Sequence, residues 1–398
     1  MDLVTIICAI AVSLAAAWFA AGLLARMGFP LPQGRRLGEI DGLRGFLALA
    51  VMCHHYIFWV GYKSSGLWLP PSLAFYNQLG KTGVGLFFMA TGFVFYPRVL
   101  ASLRGNNWLG VYISRLFRIV PLLLVTVFVV TLIVMIETGL TPTRHYPLEV
   151  LSWVVGRQRP LLGVPHSNII NAEVLWSIYY EWLFYFLLLP ACALARNFLQ
   201  TRTWLVPAGL LIASLLARET GRYVFTFAPL FAIGMLAFEA RSRPAIVALL
   251  ETRRVAAIAL AGLILGMTSW SDPFDVLALP LFAFFFICVA CGNDLFGLLG
   301  TRGARVLGEA SYGIYLIHGI VLFLGFTFLP AERYPLVALP LLGLAVTLIA
   351  ACGFLVIERP CIRLGHKLRR WLTERRSAAA DDEPAVVALG PALGDSKP

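Results

Sequence analysis

The chain has 398 residues, 59% of them hydrophobic and 13% charged, with a mean hydropathy of +0.81. That composition excludes a water-soluble domain of this size, which needs far more polar surface to cover its core. The net charge of +11 would suggest nucleic acid in a soluble protein. In an apolar chain it is read instead as basic loops that fix membrane orientation, and no nucleic-acid partner is expected.

Apolar stretches recur along almost the whole length, each able to cross a hydrocarbon core of about 30 Å. They predict an all-α, polytopic transmembrane helix bundle of about 11 helices. The helices are expected near 3–25, 42–61, 82–101, 117–137, 175–195, 203–218, 223–240, 255–271, 274–292, 310–329 and 335–357. The first begins Met1-Asp2 without a basic n-region, so it reads as a permanent span and not a cleaved signal.

With the N-terminus outside, 24 of the 32 Lys and Arg residues fall in inner loops and the tail, including Arg35 and Arg36. This split predicts a cytoplasmic C-terminus. The longest loop, about 138–174, then faces outward. The tail after Pro360 starts as a basic interfacial helix carrying Trp371 and Leu372, and is expected to be disordered from Ser377. The chain divides into an N-terminal helix and linker (1–37), a membrane core (38–360) and a cytoplasmic tail (361–398). Of the seven cysteines, Cys288 and Cys291 form one C-x-x-C without a second pair, so neither a metal site nor a disulfide framework is predicted. Gly80-Lys81-Thr82-Gly83 lacks the upstream Gly and the strand of a phosphate loop.

Ionisable groups within spanning helices are costly and usually face a cavity or a partner, so four clusters stand out. Asp41-Gly42-Leu43-Arg44 leads into His54-His55. Eleven residues turn about 20° past three full circles, so Arg44 and His55 share a helix face about 16 Å apart. Asp41 lies about 40° from His55, and His54 points elsewhere. Snorkelling of Arg44 and a packing role for His55 are equally compatible with that spacing. Next, Trp176, Ser177, Glu181 and Tyr185 fall on the fifth helix, with the last three spaced four apart on one face. Glu181 is expected about 10 Å deep from the outer side, either functional or in a structural ion pair. Ser311, Tyr312, Tyr315 and His318 follow on the tenth helix, with His318 expected about 12 Å deep from the cytoplasmic side; polar helix-packing contacts are the other reading. Arg115 and Arg118, three apart, form either a phosphate clamp or ordinary inner anchors.

Taken in order, these clusters resemble the acyltransferase-3 family of multi-pass membrane acyltransferases. Asp41-Gly42-Leu43-Arg44-Gly45 with His55 is similar to its Arg–His motif. The stretch from Gly83 to Phe93 resembles its Gly-Val-Asp-x-Phe-Phe segment, and Arg115-x-x-Arg118-x-x-Pro121 its double-Arg motif. Leu175-Trp176-Ser177 with Glu181, Phe184 and Tyr185, then Ser311-Tyr312 to His318, then Glu358-Arg359-Pro360, complete the likeness over about 38–360. Two positions depart: Gly85 replaces a frequent Asp, and Trp182 the second Glu of a common pair.

The resemblance implies O-acyl transfer, of acetyl by preference, from acyl-CoA to a hydroxyl of a cell-surface glycan or glycolipid. It implies a bacterial inner-membrane location, acetyl-CoA as co-substrate and no tightly bound cofactor. His55 would be the base or a transient acyl carrier. Arg44, Arg115 and Arg118 would hold the donor's phosphates. Glu181 and His318 would orient His55 or polarise the acceptor, with Asp41, Trp176, Ser177, Tyr185, Ser311, Tyr312 and Tyr315 supporting. A secondary transporter or lipid translocator with an intramembrane His/Glu relay is the rival reading. The oligomeric state is left open.

Overall fold

A computed structural model describes residues 3–31, 38–71, 73–199 and 202–381. Every regular element among them is helical. The N-terminal part comprises α1 (Leu3–Arg26), α2 (Gly38–Ser65), α3 (Ala74–Leu100), α4 (Trp108–Thr138) and the short α5 (Tyr146–Val154). Then α6 (Trp176–Leu183) passes through a π-turn, Phe184–Leu188, into α7 (Leu189–Phe198). The next helices are α8 (Leu205–Leu216), α9 (Tyr223–Arg241), α10 (Pro244–Leu250), α11 (Arg253–Ser269) and α12 (Leu279–Ala290). Finally come α13 (Arg302–Phe328) and α14 (Pro335–Gly353), the latter joined through a second π-turn, Phe354–Glu358, to α15 (Arg359–Asp381).

Among the described residues, eight helical stretches are long and apolar enough to cross a membrane. Helices also stand at the other three expected places, but α8, α11 and α12 have only 12, 17 and 12 residues. At 1.5 Å per residue they reach about 18 to 26 Å, short of a hydrocarbon core of about 30 Å. The helix expected to lead into a disordered tail at Ser377 instead continues to Asp381. Arg35, Arg36 and the remainder of the tail from 382 lie outside the described residues.

Several helices begin earlier than their apolar stretches. α13 starts at Arg302, capped by the Thr301 hydroxyl accepting from the Ala304 N–H at 3.2 Å. α4 starts at Trp108, capped by the Asn107 side chain accepting from Gly110 N–H at 2.9 Å. Such caps satisfy orphan N–H groups and let polar turns extend a helix beyond the hydrocarbon. His318 lies 16 residues, about 24 Å, from the start of α13. His55, 17 residues into α2, is at about 26 Å.

The core is built on α2 and α13, which run parallel in close contact. Two glycines make this possible. A Cβ on Gly45 would strike Leu307, and one on Gly308 would strike the Asp41 carbonyl, so the backbones pack without intervening side chains. α3 lies on the other side of α2 and packs on α9, while α1 and α14 flank α13. The Ser13 hydroxyl donates to the Leu339 carbonyl at 3.2 Å, tying α1 to α14.

The segment between α4 and α6 folds back onto the bundle. Trp153 is fully buried and its indole N–H donates to Arg159 O at 2.8 Å. The Glu149 carboxylate accepts from Leu162 N–H at 2.8 Å. The backbone at Asn171–Ala172 lies directly against Gly319, one residue from His318. This segment therefore covers the end of the bundle nearest the histidines.

Candidate active site

The α2–α13 packing sets His55 and His318 at one level. His318 Nε2 is 2.9 Å from His55 Nδ1, with the rings stacked at 5.0 Å between centroids. The proton positions follow from their neighbours. His318 Nδ1 lies 3.1 Å from the Ile314 carbonyl, which can only accept, so this nitrogen carries the proton in the neutral ring. Its Nε2 then presents a lone pair to His55 Nδ1. That nitrogen also lies 3.0 Å from the Val51 carbonyl. Both neighbours accept, so His55 Nδ1 is the protonated nitrogen and His55 Nε2 keeps its lone pair. His318 is fully buried and His55 partly accessible. The His54 ring stands edge-on to that of His55, 4.9 Å between centroids, and its Nδ1 bonds the Tyr76 carbonyl at 2.7 Å.

Tyr315 is the next group, its ring 6.0 Å from that of His318. Its hydroxyl donates to Val174 O at 2.9 Å and lies 2.8 Å from Ser177 Oγ. Tyr315 and Ser177 line a narrow chamber of about 140 Å³ together with Arg44, Arg115, Glu181, Tyr185, Ser311 and Tyr312. Glu181 accepts from the Tyr185 hydroxyl at 2.8 Å. The π-turn begins at Phe184; such widened turns recur at functional sites, and here Tyr185 sits within one. The Ser311 hydroxyl is buried in the chamber wall and has no hydrogen-bond partner among the described residues. Neither imidazole lines this chamber; Tyr315 stands between.

The chamber shares Arg44, Val94 and Arg115 with a larger cavity of about 660 Å³ at the end where α2, α4 and α13 begin. Asp41, Ser114, Arg118, Arg359, Arg363 and His366 also line this vestibule. Arg44 pairs with Asp41 at 3.6 Å. Arg118 pairs at 3.5 Å with Glu358, whose side chain is wholly buried. Arg115 lies over the Phe95 and Tyr185 rings, at 4.9 and 5.9 Å, a contact that holds a guanidinium while leaving its edge for an anion.

The structure thus brings His55 to His318, and gathers Glu181, Ser177, Tyr185, Ser311, Tyr312 and Tyr315 with Arg44 and Arg115. It does not bring Glu181 into contact with either histidine. Trp176 packs on Phe227, 5.4 Å between centroids, and lines neither cavity. Sequence reading gave no site role to Arg359, Arg363 or His366; Arg359 entered only through the Glu358-Arg359-Pro360 motif and Arg363 only as a basic residue of the tail. Their spacing of four and then three was the available signal, since it puts all three on one helix face.

A sequence profile of the acyltransferase-3 family, described as an acyltransferase domain, matches residues 37–358. No curated protein and no solved structure matches the chain. The matched span covers most of the chain and contains the histidine pair, the chamber and most of the vestibule wall. The chain therefore belongs to the acyltransferase-3 family and is a multi-pass membrane acyltransferase.

Proposed function

We propose that the protein transfers an acetyl group from acetyl-CoA to a hydroxyl of a cell-surface glycan or glycolipid. It would sit in a bacterial inner membrane with its N-terminus outside and its vestibule open to the cytoplasm. The observation that carries this reading is that the Arg-rich vestibule shares Arg44, Val94 and Arg115 with the polar chamber, whose wall residue Tyr315 packs against His318. The nucleotide phosphates take the vestibule, where Arg44, Arg115 and Arg118 supply charge-assisted donors. The pantetheine arm enters the chamber, and the thioester reaches His55 when the Tyr315 ring moves aside.

His55 Nε2 takes the proton of the acceptor hydroxyl as its oxygen attacks the thioester carbonyl. The tetrahedral intermediate collapses, the C–S bond breaks and the CoA thiolate recovers that proton from the imidazolium. His318 holds the tautomer of His55 and shares the charge as it forms. The unpartnered Ser311 hydroxyl is placed to bind a carbonyl of the arm. Glu181 and Tyr185 orient that arm or the acceptor. Family membership favours this chemistry over a transporter relay.

Mass spectrometry of surface glycans from a deletion strain tests the reading. Loss of an acetyl mass at one sugar position, restored by wild type and not by His55→Ala or Arg44→Ala, is the expected result. Glycans unchanged by the deletion would count against it.

A further inference from the structure

The vestibule has a wall that the proposed catalytic scheme does not use. Arg359, Arg363 and His366 on α15 line it and fall at i, i+4 and i+7, one face of the helix. An adjoining side of α15 is packed against α4. A Cβ on Gly365 would meet Phe117 at 2.8 Å, and the Arg369 stem lies against Gly110. The π-turn at Phe354–Glu358 inserts one residue just before α15. Removing that residue would rotate the face by about 100°, away from the cavity.

Two of the charges along this wall stand out, those of Arg359 and Arg363. Arg44 and Arg118 each have a carboxylate partner. Arg359 and Arg363 have none within ion-pair range among the described residues. Asp41, paired with Arg44, and Glu309 line the same cavity, but two guanidinium groups that border it without a carboxylate in ion-pair range make a site for phosphate oxygens. Their position is also ordered. Arg44 and Arg115 belong to both cavities, whereas the α15 residues border the vestibule alone. A donor whose thioester points into the chamber presents its diphosphate near the junction and its 3′-phosphate farther out.

We propose that the vestibule face of α15, through Arg359 and Arg363, reads the 3′-phosphate of the CoA donor and so selects a 3′-phosphorylated nucleotide thioester over shorter carriers. This inference rests on the acyl-CoA reading. Phosphate oxygens also occur on lipid headgroups, but this face lines a cavity that shares Arg44 and Arg115 with the chamber.

The test uses full-length protein in phosphatidylcholine nanodiscs and compares Kd for CoA and for 3′-dephospho-CoA. Wild type should bind CoA about tenfold more tightly, as expected for one well-placed charge-assisted contact. In Arg359→Gln/Arg363→Gln the ratio should fall towards one, and Arg359→Lys/Arg363→Lys should recover part of it. Arg363→Gln alone, at an exposed position, guards against misfolding and should lower the ratio partway. A charge-matched control, Arg253→Gln/Arg254→Gln, should keep the wild-type ratio. Wild-type protein that binds CoA, with a double variant that keeps its ratio, would overturn the α15 assignment and leave the transferase reading standing. Wild-type protein that binds neither nucleotide would overturn both. If the double variant changes only retention of phosphatidylglycerol in mixed nanodiscs, the phosphates read are those of lipid and the proposal fails.

Discussion

His55 Nδ1 and His318 Nε2 meet at 2.9 Å because their helices are parallel and in register. Each histidine stands ten residues beyond a glycine at the α2–α13 contact, His55 beyond Gly45 and His318 beyond Gly308. A rise of 1.5 Å per residue carries both rings about 15 Å from that contact to the same level. The geometry of the pair is therefore set by backbone packing well away from it.

Disturbing that packing should disturb the pair. Gly308→Ala adds a Cβ against the Asp41 carbonyl and should destabilise the bundle by about 1–3 kcal/mol, as overpacking does. Thermal unfolding in detergent would register the lower midpoint. Transfer assays on the remaining folded protein should show a reduced kcat with little change in KM for the donor.

The two histidines should differ in their effects. If His55 is the base as proposed, His55→Ala removes the nitrogen that takes the acceptor proton and should lower kcat by about 10²–10⁴-fold. His318→Ala removes only the partner of His55 Nδ1, which keeps the Val51 carbonyl at 3.0 Å, so its loss should be smaller. Equal losses in steady-state kinetics would argue that both rings touch the substrates. Because the base must be unprotonated, kcat/KM should fall as pH is lowered through its titration in wild type.

Arg118 and Glu358 form a pair with only 17% and 0% of their side chains exposed. Removing one partner strands a buried charge, at a cost of about 3–5 kcal/mol. Arg118→Leu should therefore lower stability more than Arg118→Leu/Glu358→Gln does. A double-mutant cycle on unfolding midpoints measures the difference, and additive losses would mean that the pair is not coupled.

Tyr315→Phe deletes the hydroxyl that bridges Ser177 and the Val174 carbonyl. The net stability loss should be about 1 kcal/mol. If Tyr315 separates the chamber from the histidines as proposed, kcat should change while donor Kd, read by calorimetry, stays close to wild type.

Much of the fold was legible because hydrocarbon thickness imposes length on an apolar helix, and ten of the candidate site residues line the two cavities. Three kinds of feature were not. Helix starts at Asn107 and Thr301 depend on side-chain caps that lie outside any apolar window. The π-turns at Phe184 and Phe354 alter which residues share a face without altering composition. The direction of α15 is set by Gly365 against Phe117, a tertiary contact that a run of basic residues does not announce. His55 and His318 were separately visible, but their meeting depends on the register of α2 against α13, which local periodicity does not encode.

The central claim is tested most directly by acetyl transfer in proteoliposomes supplied with labelled acetyl-CoA and the glycan acceptor, with CoA binding measured in parallel. His55→Ala should bind CoA like wild type and release no more CoA than empty vesicles. Transfer by His55→Ala at the wild-type rate would contradict the account.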